Sequence, residues 1–173
     1  GGTLPDGTVK DIGITGGLIA AMGDLSGSEA GEVIDATGDL VAPPFVDPHF
    51  HMDATLSYGT PRINASGTLA EGIALWGELK REATVDEMVD RALAYCDWAV
   101  GMGLLAVRSH VDTWDDSLKG VEALLHVREA VKPYLDLQLV AFPQDGFYRD
   151  PTARANTIRA LDMGVDVVGG IPH

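Results

Sequence analysis

From about residue 40 onward the chain repeats one unit, a short apolar run followed by an amphipathic stretch, and this alternation constrains the fold of the 173 residues more than any other feature. Residues 40–46, 104–111, 135–142 and 165–171 read as strands. Residues 68–83 carry Leu69, Ile73, Leu75, Trp76 and Leu79 at roughly helical spacing. Thr84-Val85-Asp86-Glu87 is a capping-box sequence, with Thr84 as N-cap and Glu87 three residues on. The helix it opens carries Met88, Leu93, Ala94 and Trp98, and stops at Gly101 or Gly103. Residues 117–131 form the next helix, ending before Pro133. Asp150-Pro151 is a good N-cap and first-turn pair for a last one, reaching Met163 with Gly164 beyond it.

Apolar strands alternating with amphipathic helices imply an α/β fold whose parallel sheet is buried on both faces. Two architectures compete, a doubly wound open sheet and a (β/α)8 barrel. No G-x-G-x-x-G follows the first strand, which weakens the nucleotide-binding form of the open sheet. A full barrel takes ~250 residues and eight strands. On that reading, residues 41–173 supply the first four βα units of a TIM-type barrel, and the chain is expected to be truncated after the fourth strand. Residues 1–40 differ in character, with apolar pieces at 9–14, 18–22 and Val33-Ile34 separated by glycines. They predict a small antiparallel sheet and a separate unit.

Composition narrows the partners. With 46% hydrophobic and 22% charged residues the chain reads as globular rather than disordered. No apolar run approaches the ~18–20 residues that cross a bilayer, and no secretory signal is visible, although the chain lacks an initiator Met. The lone Cys96 excludes an internal disulfide and fits a reducing compartment, so cytoplasm is the expectation. Twenty-six acidic against twelve basic residues give a net charge of −14, a field that repels phosphate backbones and anionic membranes. A small neutral or cationic substrate is compatible with it.

His49-Phe50-His51 is the strongest local signal. In a strand the two histidines share one side and Phe50 takes the other. Imidazoles ~6–7 Å apart along one face can converge on a divalent ion. They also sit at the carboxyl end of the first expected parallel strand, where barrel enzymes place their active sites. The competing reading is a pair of surface histidines in a loop.

The stretch from Pro43 to Asp53 resembles the strand-one metal motif of the amidohydrolase superfamily, and the likeness to bacterial cytosine deaminases continues in order along the chain. It takes in Ser66-Gly67-Thr68-Leu69-Ala70-Glu71-Gly72-Ile73, Val107-Arg108-Ser109-His110-Val111-Asp112, residues 137–146 and residues 160–173. The resemblance implies that residues 1–40 are part of the small β-sandwich preceding the barrel in such enzymes. It implies His49 and His51 as ligands of one divalent ion, Fe²⁺ or Zn²⁺, that activates water for hydrolytic deamination of a pyrimidine base, cytosine first. It matches Gln144 to the residue that hydrogen-bonds the ring's amide edge, and Leu69 to one whose backbone lies along the substrate. A carboxamide offers both donor and acceptor for that task. Related rings, N-substituted aminotriazines and isocytosine, are the alternatives, and a non-enzymatic binding fragment of a degenerate amidohydrolase is the alternative of another class. The family's remaining ligands and its general acid/base come from later strands, so the 173-residue chain by itself is expected to be inactive. Homo-oligomerisation is implied by the family alone. Residues 165–173 contain no lysine that could bridge two metals, which favours a single-metal site. His110, Asp112 and His173 could line the pocket or serve structure. Asp53 reads as an orienting carboxylate, Trp76 and Trp98 as helix packing, and Cys96 as buried and inert.

Overall fold

The computed structural model describes residues 1–171, which divide into two compact units, Gly1–Pro43 and a second beginning at Pro44. His173, expected at the end of the fourth strand, lies outside the described residues.

The first unit is a three-stranded antiparallel sheet in the order β1 (Gly2–Thr3), β2 (Val9–Thr15), β3 (Leu18–Gly23). Thr15 pairs with Leu18 across Gly16-Gly17, whose φ of +59° and +79° supply the left-handed pair that a two-residue hairpin turn needs. The expected strand at Val33-Ile34 is absent, and both side chains are more than 80% exposed. Its place is taken by Gly2–Thr3, paired with Lys10 and Val9. A Cβ on Gly2 would lie 2.4 Å from Val41 Cγ2, so glycine admits the terminal segment to that position. Nothing in the periodicity of so short a piece signals it.

The second unit carries a four-stranded parallel sheet in the order β4 (Phe45–Phe50), β5 (Leu104–Asp112), β6 (Asp136–Phe142), β7 (Val167–Val168). Helices α1 (Leu69–Glu82) and α2 (Val85–Gly101) connect the first two strands, α3 (Lys119–Val131) the next pair, and α4 (Pro151–Met163) the last. A doubly wound sheet reverses its strand order partway. Here every new strand lies beside the previous one, which is the winding of a barrel wall and settles the choice in favour of a partial TIM-type barrel.

Two strands depart from their expected bounds, the first running Phe45–Phe50 rather than over residues 40–46. The first begins at Phe45, after Pro43-Pro44, and its register against β5 shifts between Asp47 and Phe50, where Pro48 has no N–H to give. The fourth is two residues long, because Val165 N–H closes the end of α4 on Ala160 C=O. Asp166 is occupied too, its N–H donating to Leu139 C=O and its carboxylate accepting from Leu139 N–H and Arg128.

The core lies between sheet and helices. Val107 and Val111 of β5, with Leu137, Leu139 and Ala141 of β6, pack in one cluster with Met88, Ala92 and Cys96 of α2 and Val121, Leu124 and Val127 of α3. Each fully buried Leu or Val there is worth about 1.5–3 kcal/mol. Trp98 does not join them and is 65% exposed, since α2 turns Cys96 and Ala99 inward instead. Burial pushes the Cys96 thiol up to about 11, away from the nucleophilic thiolate. No described helix is long and apolar enough to cross a membrane.

The capping box at the start of α2 is complete. The Thr84 side chain accepts from Glu87 N–H, and Glu87 Oε2 accepts from Thr84 N–H at 2.8 Å. Thr84→Ala is therefore expected to lower stability by about 1 kcal/mol. An unchanged urea midpoint would show that the cap contributes nothing.

Candidate functional site

Strand alternation sorts the side chains of the sheet onto two faces. Phe50 stacks on Tyr95 of α2, with ring centroids 4.3 Å apart, so Phe50 faces the helices and its neighbours His49 and His51 emerge on the other side. On β5 the buried Val107, Ser109 and Val111 face the helices, leaving Arg108 and His110 opposite. Arg108 Nε there donates to Gln138 Oε1 of β6 at 2.6 Å.

The result is a cluster of rings at the C-terminal ends of three adjacent parallel strands. Ring centroids of His49 and His51 lie 5.4 Å apart, those of His51 and His110 5.7 Å, and those of His49 and His110 only 3.9 Å. Phe142, the last residue of β6, meets both His51 and His110 edge-on at 5.4 Å. Gly169, just past β7, closes another side. A Cβ there would lie 2.6 Å from Val140 Cγ1 and 3.7 Å from His110 Cδ2, so glycine is what permits this approach.

A buried scaffold supports the cluster from below. After His51 the chain enters a 3-10 turn, Met52–Ala54, pinned by Met52 N–H donating to Ser109 Oγ at 3.0 Å. Asp53 Oδ2 accepts from Asp112 N–H at 2.9 Å, and Arg91 of α2 donates to Thr55 C=O and Asp53 C=O. Burial pushes the Asp53 carboxyl up to about 7, opposed by that Asp112 N–H. Asp53 thus ties the end of β4 to the end of β5 and points away from ligation. Asp112 is likewise engaged. Its Oδ2 accepts from Trp76 Nε1 at 2.9 Å and Lys80 Nζ at 2.6 Å, and its Oδ1 from Trp114 N–H at 2.8 Å. Ser109→Ala leaves the Met52 N–H buried without an acceptor and is expected to cost about 1–3 kcal/mol. Denaturant unfolding checks it, and a loss below half a kcal/mol would mean that the turn is held by other contacts.

Burial holds His51 and His110 below the ordinary histidine range, and the neighbouring imidazoles, His49 first, push the same way. The neutral ring so favoured is the form that ligates metals. Imidazole suits zinc and iron, and His49 and His51 are inclined at 57°, so their lone pairs can meet. The donor set fits a divalent ion, although no group of three or more His, Cys, Asp or Glu side chains is gathered to hold one among the described residues.

Gln144 stands two residues past Phe142, half-buried in a turn closed by Gly146 N–H on Pro143 C=O, at the same edge of the sheet as the histidines. Leu69 is the first residue of α1 and 81% exposed, and no described contact joins it to the rings. Its loop is ordered by Arg62, which bonds Glu71 at 2.8 Å and Glu78 at 2.9 Å. The Ser66 hydroxyl and N–H, and then Arg62, hold the Glu71 carboxyl at about 2. The sequence left His110 undecided and passed over Phe142 and Gly169. Period-two alternation back from Asp112 would have put His110 on the face of Arg108, but the faces of an isolated strand cannot be assigned without its partners.

A sequence model of the amidohydrolase family matches residues 32–173. Among characterised relatives, the N-isopropylammelide isopropyl amidohydrolase of Pseudomonas sp. (strain ADP) is 36% identical over 171 residues, 95% of this chain and 42% of the relative. Among solved structures, 5-methylcytosine deaminase from Klebsiella pneumoniae, liganded with phosphonocytosine, superposes with a TM-score of 0.83 at 37% identity. It covers 99% of this chain and 43% of its own. N-isopropylammelide isopropylaminohydrolase from Burkholderia multivorans gives 0.68 at 26% identity, over 93% and 41%. The chain therefore spans about two fifths of the length of the relatives it matches. With a family match over most of its residues and histidines gathered at the C-terminal edge of a partial barrel, the chain belongs to the amidohydrolase family.

Proposed function

We propose that the whole protein is a metal-dependent hydrolytic deaminase of a pyrimidine base, converting cytosine and water to uracil and ammonia. The observation that carries this reading is the pair of inclined imidazoles, exposed His49 and half-buried His51, at the barrel edge, in a chain so similar to a 5-methylcytosine deaminase. In this reading the two histidines hold one divalent ion, Fe²⁺ or Zn²⁺. When bound, the ion supplies Lewis-acid activation of water. Phe142 walls His51 and His110 on one side. Gln144 presents its carboxamide to the adjacent C=O and N–H of the pyrimidine, one donor and one acceptor in the plane of the ring. Leu69 contributes backbone along the substrate, from the start of α1, to which Arg62 ties the preceding loop through Glu71. The general acid/base comes from elsewhere in the whole protein. The remaining parts of the proposal are a nucleobase-like small molecule as partner, rather than nucleic acid or membrane, a homo-oligomeric assembly and a cytoplasmic location.

A second reading has its own support. The relative from Pseudomonas acts, by its name, on N-isopropylammelide, an N-substituted triazine, and is about as similar as the deaminase. The metal-loaded intact protein should be given each substrate in turn. A kcat/KM for cytosine at least tenfold above that for N-isopropylammelide is the expected result. The reverse order would move the assignment to the triazine and leave the hydrolytic chemistry in place.

A further inference from the structure

Three imidazoles meet at the barrel edge, and their ring planes decide what each can do. A metal bound to imidazole lies in the ring plane, about 2.0–2.1 Å from the nitrogen along its lone pair. His49 and His51 are inclined at 57°, and His51 and His110 at 43°, so either pair can direct nitrogens at one point. His49 and His110 are different. Their rings are stacked, 3.9 Å apart and only 15° from parallel. Two planes so nearly parallel do not meet within coordination reach, so these two rings cannot both ligate the same ion.

Accessibility separates them further. His49 is exposed on the open side of the sheet, whereas His110 is hemmed in by the edge of Phe142 at 88° and the backbone of Gly169. Its Nδ1 is buried and has no hydrogen-bond partner among the described residues. The stacked face of His110 covers one side of the His49 ring. That contact limits the torsions of an otherwise exposed side chain, and stacked pairs of this kind are attractive beyond the area they bury.

We propose that His110 is a positioning residue that holds the His49 ring for metal binding by stacking on it, and that it is not itself a ligand. The inference rests on the reading of His49 and His51 as the ligands. It differs from the usual orientation of a ligating histidine, in which the second ring nitrogen donates a hydrogen bond.

The test is the affinity of the intact protein for Zn²⁺, by competition with a chromophoric chelator, in His110→Phe and His110→Ala. Phenylalanine keeps an aromatic face and removes both nitrogens, so it is expected to stay within about threefold of wild type, whereas alanine should weaken binding about tenfold or more, the range typical of lost supporting contacts. The Co²⁺-substituted protein should show the same visible spectrum for wild type and His110→Phe, which a general loss of structure would not leave intact. Should the alanine variant fold poorly, His110→Leu fills the space without a ring and is expected to bind as weakly as alanine. A phenylalanine variant as weak as alanine would overturn the proposal by making a nitrogen of His110 the donor. Wild-type affinity in His110→Ala would overturn it by making the stack idle. His51→Ala, measured alongside, separates the premise: undiminished binding there would remove the ligand pair itself.

Discussion

Asp112→Ala is expected to destabilise the protein by about 3–5 kcal/mol, the cost of leaving one partner of a buried ion pair without the other. Asp112 is almost fully buried and Lys80 nearly so, and their charged atoms are 2.6 Å apart. The same carboxylate accepts from the Trp76 indole and from Trp114 N–H, so its removal orphans three donors together. The effect is large for a further reason. Helix α1 fully buries only Leu79, so its attachment to the sheet depends on this polar clamp as well as on apolar contact. Asp112→Asn keeps an acceptor but strands the Lys80 ammonium. Combining it with Lys80→Met removes that charge and is expected to recover most of the loss, because deleting both members of a buried pair costs far less than deleting one. Urea unfolding of the single and double variants reads this directly. A loss below about 1 kcal/mol in Asp112→Ala would mean that water reaches the clamp and replaces the carboxylate.

Replacing either imidazole of the proposed ligand pair, His49 or His51, should reduce affinity for a divalent ion at least a hundredfold, beyond the ~10–100-fold that supporting residues alone produce. His51 is the more informative position. It is half-buried, its pKa lowered by desolvation and then by the neighbouring His49, and braced by Phe142 and by the Met52–Ala54 turn that follows it. His51→Ala removes a donor without touching the buried bonds of Asp53 or Ser109, so folding should survive while binding does not. Stripping the ion from the wild-type protein with a chelator should abolish turnover, and adding Zn²⁺ or Fe²⁺ back should restore it. Chelator competition monitors the first result and a rate assay the second. Equal affinity in wild type and His51→Ala would dismiss the histidine pair as the binding site.

Much of this was legible in the sequence because local chemistry and tertiary packing agree. The capping box at Thr84, the Asp150-Pro151 start and the Gly164 stop all sit where they were expected, since a helix end is governed by side chains within one turn of it. Strand ends were harder. Val33-Ile34 has the composition of a strand but no neighbour to pair with, while Gly2–Thr3 has poor composition and a partner in β2. The fourth strand reads as seven residues, 165–171, yet pairs over two, because Val165 N–H closes the end of α4 and the Asp166 carboxylate takes Leu139 N–H. At the site, His49 and His51 could be singled out by spacing and family likeness. The stacking of His110 on His49 and the bond of Asp53 to Asp112 join residues about sixty positions apart, which no local pattern contains.

Ammonia release from cytosine by the metal-loaded intact protein, with His51→Ala treated identically, tests hydrolytic deamination at this cluster most directly. Steady release that falls to background in the variant and after chelation is the expected result. A folded, metal-loaded protein that releases no ammonia from cytosine, or a His51→Ala variant that releases it at the wild-type rate, would contradict it.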